Sequence, residues 1–198
     1  TSYGYVAGGH DGSNPLSLVD RVDYSNDTAT AVAKGYLFKI REQLAGVSAQ
    51  DMALPQTYSQ GTVGTYGAGY IAGGGTPSAV VTTVQRIDYA NDTPTTTTRG
   101  TLATGRMFIA GTGNSSHGYF GGGEIGPGGN TTKIERIDYA NDTATAGAKG
   151  NLGNDLHAMG AVGNVNFGYF GGGTPSSQSK VYRIDYGNDT TDTVEKGP

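Results

Sequence analysis

RIDYANDT occupies residues 86–93 and returns unchanged at 136–143, with RVDYSNDT at 21–28 and RIDYGNDT at 183–190. A phrase recurring with fixed internal spacing marks a repeat architecture, in which one supersecondary unit cannot bury its own faces and stacks on its neighbours. The phrase reads as a strand and a turn. In TTKIERIDY, Ile134, Arg136 and Asp138 point one way, and Glu135, Ile137 and Tyr139 the other, by the two-residue alternation of an extended chain. TTVQRIDY and KVYRIDY keep the same phase. Apolar groups on both faces predict a sheet covered on two sides.

Working outward, each phrase is preceded by a glycine-doublet strand: GYVAGG at 4–9, GYIAGG at 69–74, and GYFGGG at 118–123 and 168–173. It is followed, seven residues beyond the NDT aspartate, by Lys34, Arg99, Lys149 or Lys196, each before a glycine. A less regular fourth part appears as GTVGTYGAGY, FIAGTGNSSHGY and MGAVGNVNFGY. This gives about four short strands per unit of roughly 50 residues, a period that reads as a solenoid or propeller. The chain divides as one repeat domain, 1–198, with units near 1–65, 66–115, 116–165 and 166–198. The first interval is longer, and 36–61 is read as an insertion in which FKIREQLAG carries a short amphipathic helix. Only three copies of the fourth part exist. The last blade is therefore expected to be completed by another segment or chain, since an open sheet edge invites pairing.

Composition agrees with an all-β chain. Of 198 residues, 35 are glycine and 13 tyrosine, and tryptophan and cysteine are absent. The lack of cysteine removes disulfides, thiol nucleophiles and thiolate metal sites. A net charge of -4 from dispersed charges provides no basic footprint for nucleic acid. No apolar run approaches the roughly 18 residues of a membrane span.

The order of glycine doublet, variable connection, V/I-x-R-I-D-Y, turn, and basic-Gly pair resembles the kelch repeat and implies a kelch-like β-propeller. The units depart from it where kelch blades carry a Trp, a place near Ala33, Thr98, Ala148 and Glu195 here. They look closer to a Gly/Tyr/NDT variant of large repetitive bacteriophage proteins, especially those of marine cyanobacteria. That resemblance implies a virion component at a particle surface.

The repeated polar residues are read first as building devices. Asn26-Asp27, Asn91-Asp92, Asn141-Asp142 and Asn188-Asp189 begin NDT triplets that suit a hairpin turn, since Asn and Asp bond their own backbone. Calcium binding through their oxygens and N-glycosylation, also open at Asn114 and Asn130, are the functional alternatives. Arg21 with Asp23, Arg86 with Asp88, Arg136 with Asp138, and Arg183 with Asp185 lie at i and i+2 and are expected to lace a blade to its neighbour. His10, His117 and His157 stand in unlike contexts and predict no metal site. No G-x-S-x-G elbow or phosphate loop is present. The glycine runs are read as close-packing positions, and Tyr3, Tyr5, Tyr70, Tyr119 and Tyr169 as packing between blades or, if exposed, stacking on sugars.

No catalytic residue, cofactor or metal is expected. The leading expectation is a noncatalytic structural or adhesion protein that binds protein subunits, a second copy or a surface glycan through its loops. The alternative is a carbohydrate-active propeller enzyme or glycan-binding module with Asp23, Asp88, Asp138 and Asp185 at a central channel. Four equivalent carboxylates offer no division between acid and base.

Overall fold

A computed structural model describes residues 3–26, 28–48, 67–175 and 178–197. Among them the chain is all-β, built from four separate antiparallel sheets in sequence order. The first has three strands, β1 (Tyr3–Ala7), β2 (Leu18–Asp23) and β3 (Val32–Tyr36). The second is β4 (Ala45–Ser48), β5 (Ala68–Ala72), β6 (Thr83–Asp88) and β7 (Thr97–Thr101). The third is β8 (Ala110–Gly113), β9 (His117–Gly121), β10 (Lys133–Asp138) and β11 (Gly147–Asn151), and the fourth β12 (Gly160–Gly163), β13 (Phe167–Gly171), β14 (Val181–Asp185) and β15 (Val194–Gly197). Every sheet is a meander of neighbouring strands.

Two copies of the fourth part, FIAGTGNSSHGY and MGAVGNVNFGY, thus lead the third and fourth sheets as β8 and β12 rather than ending the sheets before them; the second sheet is led instead by AGVS at 45–48, and 61–66 of GTVGTYGAGY lie outside the described residues. β4, β8 and β12 pair with the glycine-doublet strand that follows them. This moves the expected shortfall from one end of the chain to the other. Among the described residues the last sheet has four strands, and the first is the one with three.

The reading of 36–61 is corrected over its described part. No helix forms at 38–46, and β4 begins at Ala45. Leu37, Arg41 and Gln43 hold the places of Leu102, Arg106 and Phe108, and of Leu152, Leu156 and Ala158. Gln43, Phe108 and Ala158 all adopt a left-handed backbone, with φ of 57°, 53° and 54°. A shared non-glycine outlier at the same place in three units identifies 37–48 as repeat, not insertion. Residues 49–61 lie outside the described residues.

Period-two alternation distributes the core between sheets. Ala110, Tyr119 and Ile134 of the third sheet pack toward the fourth, with Leu152, Leu156, Phe170, Tyr182 and Ile184. Phe120, Ile137 and Tyr139, from the opposite face, pack toward the second sheet with Val47, Tyr70, Val84 and Leu102. A third cluster, Val19, Leu37, Ile71 and Ile87, joins the first and second sheets. The two-faced burial expected of RIDY strands is present. In β6 and β10 it is carried by Val84 and Ile134 on one face and by Ile87 and Ile137 on the other.

Glycine sets how closely the sheets approach. Gly73 has a φ of +64°, and a Cβ there would stand 2.5 Å from the Arg106 carbonyl oxygen of the next unit's leading segment. The Gly100 position would drive a Cβ into the Ala144 carbonyl oxygen, whereas at Gly197, the equivalent place in the last sheet, nothing lies within 4 Å. Interior and terminal units are alike in sequence but differ in what they touch.

Candidate functional site

The cross-strand register places the glycine-doublet tyrosine opposite the RIDY arginine in every sheet: Tyr5 with Arg21, Tyr70 with Arg86, Tyr119 with Arg136, and Tyr169 with Arg183. A register shift recurs between the RIDY strand and the strand after it. Such bulges re-aim side chains. The basic residue of Lys-Gly or Arg-Gly reaches the same acceptor as the tyrosine and arginine.

That acceptor is the NDT aspartate of the following sheet. Tyr5 Oη and Arg21 Nη1 each donate to Asp92 Oδ2 at 2.9 Å, with Lys34 Nζ 3.6 Å from Oδ1. Tyr70 Oη and Arg86 Nη1 donate to Asp142 Oδ2 at 2.9 and 3.2 Å, and Arg99 Nε lies 3.0 Å away. Tyr119 Oη and Arg136 Nη1 donate to Asp189 Oδ2 at 2.8 and 2.7 Å, while Lys149 Nζ lies 3.1 Å from Oδ1. The three aspartates are buried. At Asp92 and Asp189 burial pushes the carboxyl up, but the tyrosine hydrogen bond and the lysine and arginine charges outweigh it and hold both below the usual range. Each tyrosine also stacks on the RIDY tyrosine of the next sheet: Tyr5 on Tyr89, Tyr70 on Tyr139, and Tyr119 on Tyr186, with ring centroids 4.7–4.8 Å apart.

The expected Arg–Asp lacing is therefore redistributed. Arg21, Arg86 and Arg136 do lace sheets, but to Asp92, Asp142 and Asp189 rather than to the aspartate two residues on. Asp23, Asp88, Asp138 and Asp185 instead cap their own turns, accepting from the backbone N–H of Ser25, Ala90, Ala140 and Gly187. In the third and fourth units those caps open short 3-10 turns, Tyr139–Asn141 and Tyr186–Asn188. Asn26, Asn141 and Asn188 close the turns through their carbonyls, and the Asn91 N–H is bonded to the Asp88 carbonyl. Asp27 lies outside the described residues.

A second buried joint was not singled out from the sequence. Arg41 donates to the Gly73 and Thr83 carbonyls and to Gln85 Oε1, at 2.8, 3.1 and 2.8 Å. Arg106 repeats this with the Gly122 and Lys133 carbonyls and sits 3.3 Å from Glu135 Oε2. Desolvation pulls the Arg41 guanidinium down to about 10. In the fourth sheet the pair becomes Leu156 and Tyr182, inside an apolar cluster. The signal was in the sequence: aligning units on Leu37, Leu102 and Leu152 shows Arg/Gln, Arg/Glu and Leu/Tyr changing together.

Both ends of the stack are unlike its interior. Tyr169, Arg183 and Lys196 form the fourth donor trio, yet no carboxylate meets it among the described residues, and Arg183 lies over the Phe167 ring at 4.3 Å. At the other end Val6 and Tyr24 are 63% and 61% exposed, although their counterparts Phe120 and Tyr139 are buried. Between β1 and the leading edge of the second sheet runs a groove of about 750 Å³, lined by Tyr5, Val6, Tyr24, Gly46, Val47 and Ile71 among others.

A scan against protein-family models finds no match, and neither does a search of the curated proteins. The site's meaning rests on its geometry.

The histidines are not brought together. His10 Nδ1 accepts from the Gly12 N–H, His157 Nε2 is 2.6 Å from Thr174 Oγ1, and His117 lies against Tyr119. Among the described residues no cluster of three or more His, Cys, Asp or Glu could hold a metal ion. No helix there is long and apolar enough to cross a membrane. Of the tyrosines expected at blade contacts, Tyr5, Tyr70 and Tyr119 occupy joints, while Tyr3 lies under the Arg21 guanidinium at 4.1 Å.

Proposed function

We propose that the chain is a noncatalytic structural or interaction module, a run of kelch-like propeller blades that joins further blades or subunits through its open ends. The trio Tyr169, Arg183 and Lys196 carries this reading. Three equivalent trios are each met by a carboxylate of the next sheet, so a fourth on an outer face is equipped to meet a further sheet. Tyrosine and arginine are also the side chains that most often anchor protein interfaces.

The side-by-side packing of β4, β8 and β12 supports the radial arrangement of a propeller, with leading strands together. The resemblance of the Gly/Tyr/NDT units to bacteriophage repetitive proteins carries the location: a virion component, exposed at a particle surface. Its irregular loops, HDGSNPLSL, GTPSAVVT and EIGPGGNT, are the surfaces offered to other subunits or to a host-surface glycan. The carbohydrate-active alternative is weaker, because Asp23, Asp88, Asp138 and Asp185 each serve as the cap of a turn.

Mass spectrometry of purified virus particles tests the location. Trypsin releases Ile137–Lys149, IDYANDTATAGAK, and its recovery at a fixed ratio to capsid peptides is the expected result. Recovery only from non-particle fractions of the same lysate would overturn the virion assignment.

A further inference from the structure

The structure assigns the open edge of β1 as a binding site for an arginine-bearing strand, the leading segment of another repeat of this kind. The inference rests on the reading that the chain meets further repeats, and it adds what the first sheet selects. The second, third and fourth sheets supply the template. In each, the leading strand pairs with the glycine-doublet strand: Thr112 lies opposite Tyr119 and Gly111 opposite Phe120. Five residues before Gly111 stands the buried Arg106, and Arg41 and Leu156 hold the same place in the other two.

The first sheet holds every receiving element without the strand. Among the described residues Gly4–Ala7 pair with β2 on one side only, so the other edge faces the groove without a strand partner there. The carbonyls that would take the guanidinium are present, since Gly8 and Leu18 hold the places of Gly73 and Thr83, and of Gly122 and Lys133. Leu18 O accepts from Gly8 N at 2.9 Å, as Thr83 O does from Gly73 N and Lys133 O from Gly122 N. Asp20 stands where Gln85 and Glu135 stand, half-buried, and no hydrogen bond or ion pair engages it among the described residues. A carboxylate at the end of a slot lined by two carbonyls selects a guanidinium, whose planar fork of donors can reach all three acceptors.

The neighbouring sheet is prepared as well. Phe108 N donates to Gln43 O, and Ala158 N to Phe108 O, so the left-handed residues form a backbone column through the stack. A further leading segment would extend that column to Gln43. A Cβ at Gly111 would stand 2.8 Å from the Gly46 carbonyl oxygen, whereas a Cβ at Gly46 would have only the Tyr70 carbonyl oxygen near it, at 3.7 Å, so the glycine that lets a neighbouring backbone approach is already in place beside the groove. β-augmentation of this type draws affinity from main-chain bonds and specificity from the pockets beside them. The occupant is thus defined as Arg, three intervening residues, then an Ala-Gly or Gly-Ala pair in extended conformation. Among the described residues the two such segments, those of Arg41 and Arg106, and their Leu156 counterpart are already engaged by their own sheets.

The test is a fluorescence-anisotropy titration of the full chain with labelled peptide 102–114, LATGRMFIAGTGN. Saturable binding is expected, with slowed amide exchange confined to Gly4–Ala7 and the groove. Arg106→Leu in the peptide, which leaves the protein untouched, should weaken binding by at least about tenfold, and Asp20→Asn in the protein should do the same. Asp20→Tyr should reverse the preference toward peptide 152–164, LGNDLHAMGAVGN, whose Leu156 meets a tyrosine in the fourth sheet. Unchanged circular dichroism of the Asp20 variants keeps these comparisons valid. Absence of saturable binding, equal binding of a scrambled peptide, or indifference to Arg106 and Asp20 overturns the assignment. None of these results alters whether Ile137–Lys149 is found in particles.

Discussion

Arg106 and Glu135 meet at 3.3 Å with their side chains 0% and 1% exposed, and the two neighbouring sheets fill the same pair of positions with Arg41 and Gln85, and with Leu156 and Tyr182. The fold therefore contains three solutions to one packing problem: an ion pair, a charge–amide pair and an apolar pair. Removing one partner of a buried ion pair strands the other, at about 3–5 kcal/mol, whereas an apolar replacement of both can be neutral. Glu135→Ala should fall in that range by urea unfolding, and Glu135→Gln should cost much less, because Gln85 already serves an arginine. Arg106→Leu combined with Glu135→Tyr should recover most of the loss of Arg106→Leu alone. Strict additivity of the two substitutions would refute the co-variation as a packing relationship.

The interior and terminal arginines of the joint provide a direct comparison. Arg136 donates to Asp189 at 2.7 Å, while its counterpart Arg183 lies over the Phe167 ring and meets no carboxylate among the described residues. A hydrogen bond to a charged group contributes about 1.5–3 kcal/mol, and an exposed cation–π contact about 0.5–1. Arg136→Ala should accordingly destabilise the isolated chain more than Arg183→Ala, measured by thermal melting at low protein concentration. Equal losses would mean that the fourth trio is already engaged.

Much of this was legible in the sequence, and the gaps have physical reasons. The period, the all-β class and the two-faced RIDY strand follow from spacing, because alternation survives whatever the neighbours are. The sheet to which a strand belongs does not. FIAGTGNSSHGY and MGAVGNVNFGY look equally able to close one unit or open the next, and only pairing decides it; the strand that leads the second sheet, Ala45–Ser48, lay inside what the spacing marked as an insertion. The joint was half visible for the same reason. Arg21 and Asp23 share a strand face, yet Asp23 is nearer its own turn amide, which leaves Arg21 to a carboxylate 71 residues away. FKIREQLAG has helix-forming composition, but Arg41 is better satisfied by strand carbonyls, and tertiary contact overrides local propensity.

Acid should loosen the stack at its joints. The folded carboxyls of Asp92 and Asp189 lie below their ordinary value of 3.8. A depressed folded value means that the stabilisation is fully present above 3.8 and is lost as pH falls through the folded value. Urea midpoints should therefore drop below about pH 4, and Asp92→Asn should be less stable at neutral pH yet show a shallower decline. A variant with an undiminished acid slope would exclude the Asp92 joint as a source of it.

Alkali acts on the same joints through the other partner. Burial first, then the bonded aspartate, pushes Tyr5 and Tyr70 up to about 12, and Tyr119 further in the same direction. Burial likewise raises Tyr186, stacked on Tyr119, to about 12. Here the fold holds the neutral phenol, so the stabilisation is complete below the ordinary value of 10.0 and declines as pH rises from there toward 12. Phenolate absorbance should show the joint tyrosines ionising late, together with unfolding rather than before it. Asp142→Asn removes the negative charge beside Tyr70 but leaves its burial, so that tyrosine should titrate earlier without reaching its ordinary value. If the variant and parent gave superimposable titrations, the phenol–carboxylate bond would not be what holds Tyr70 neutral, and the repeated tyrosine would be retained for its stacking alone.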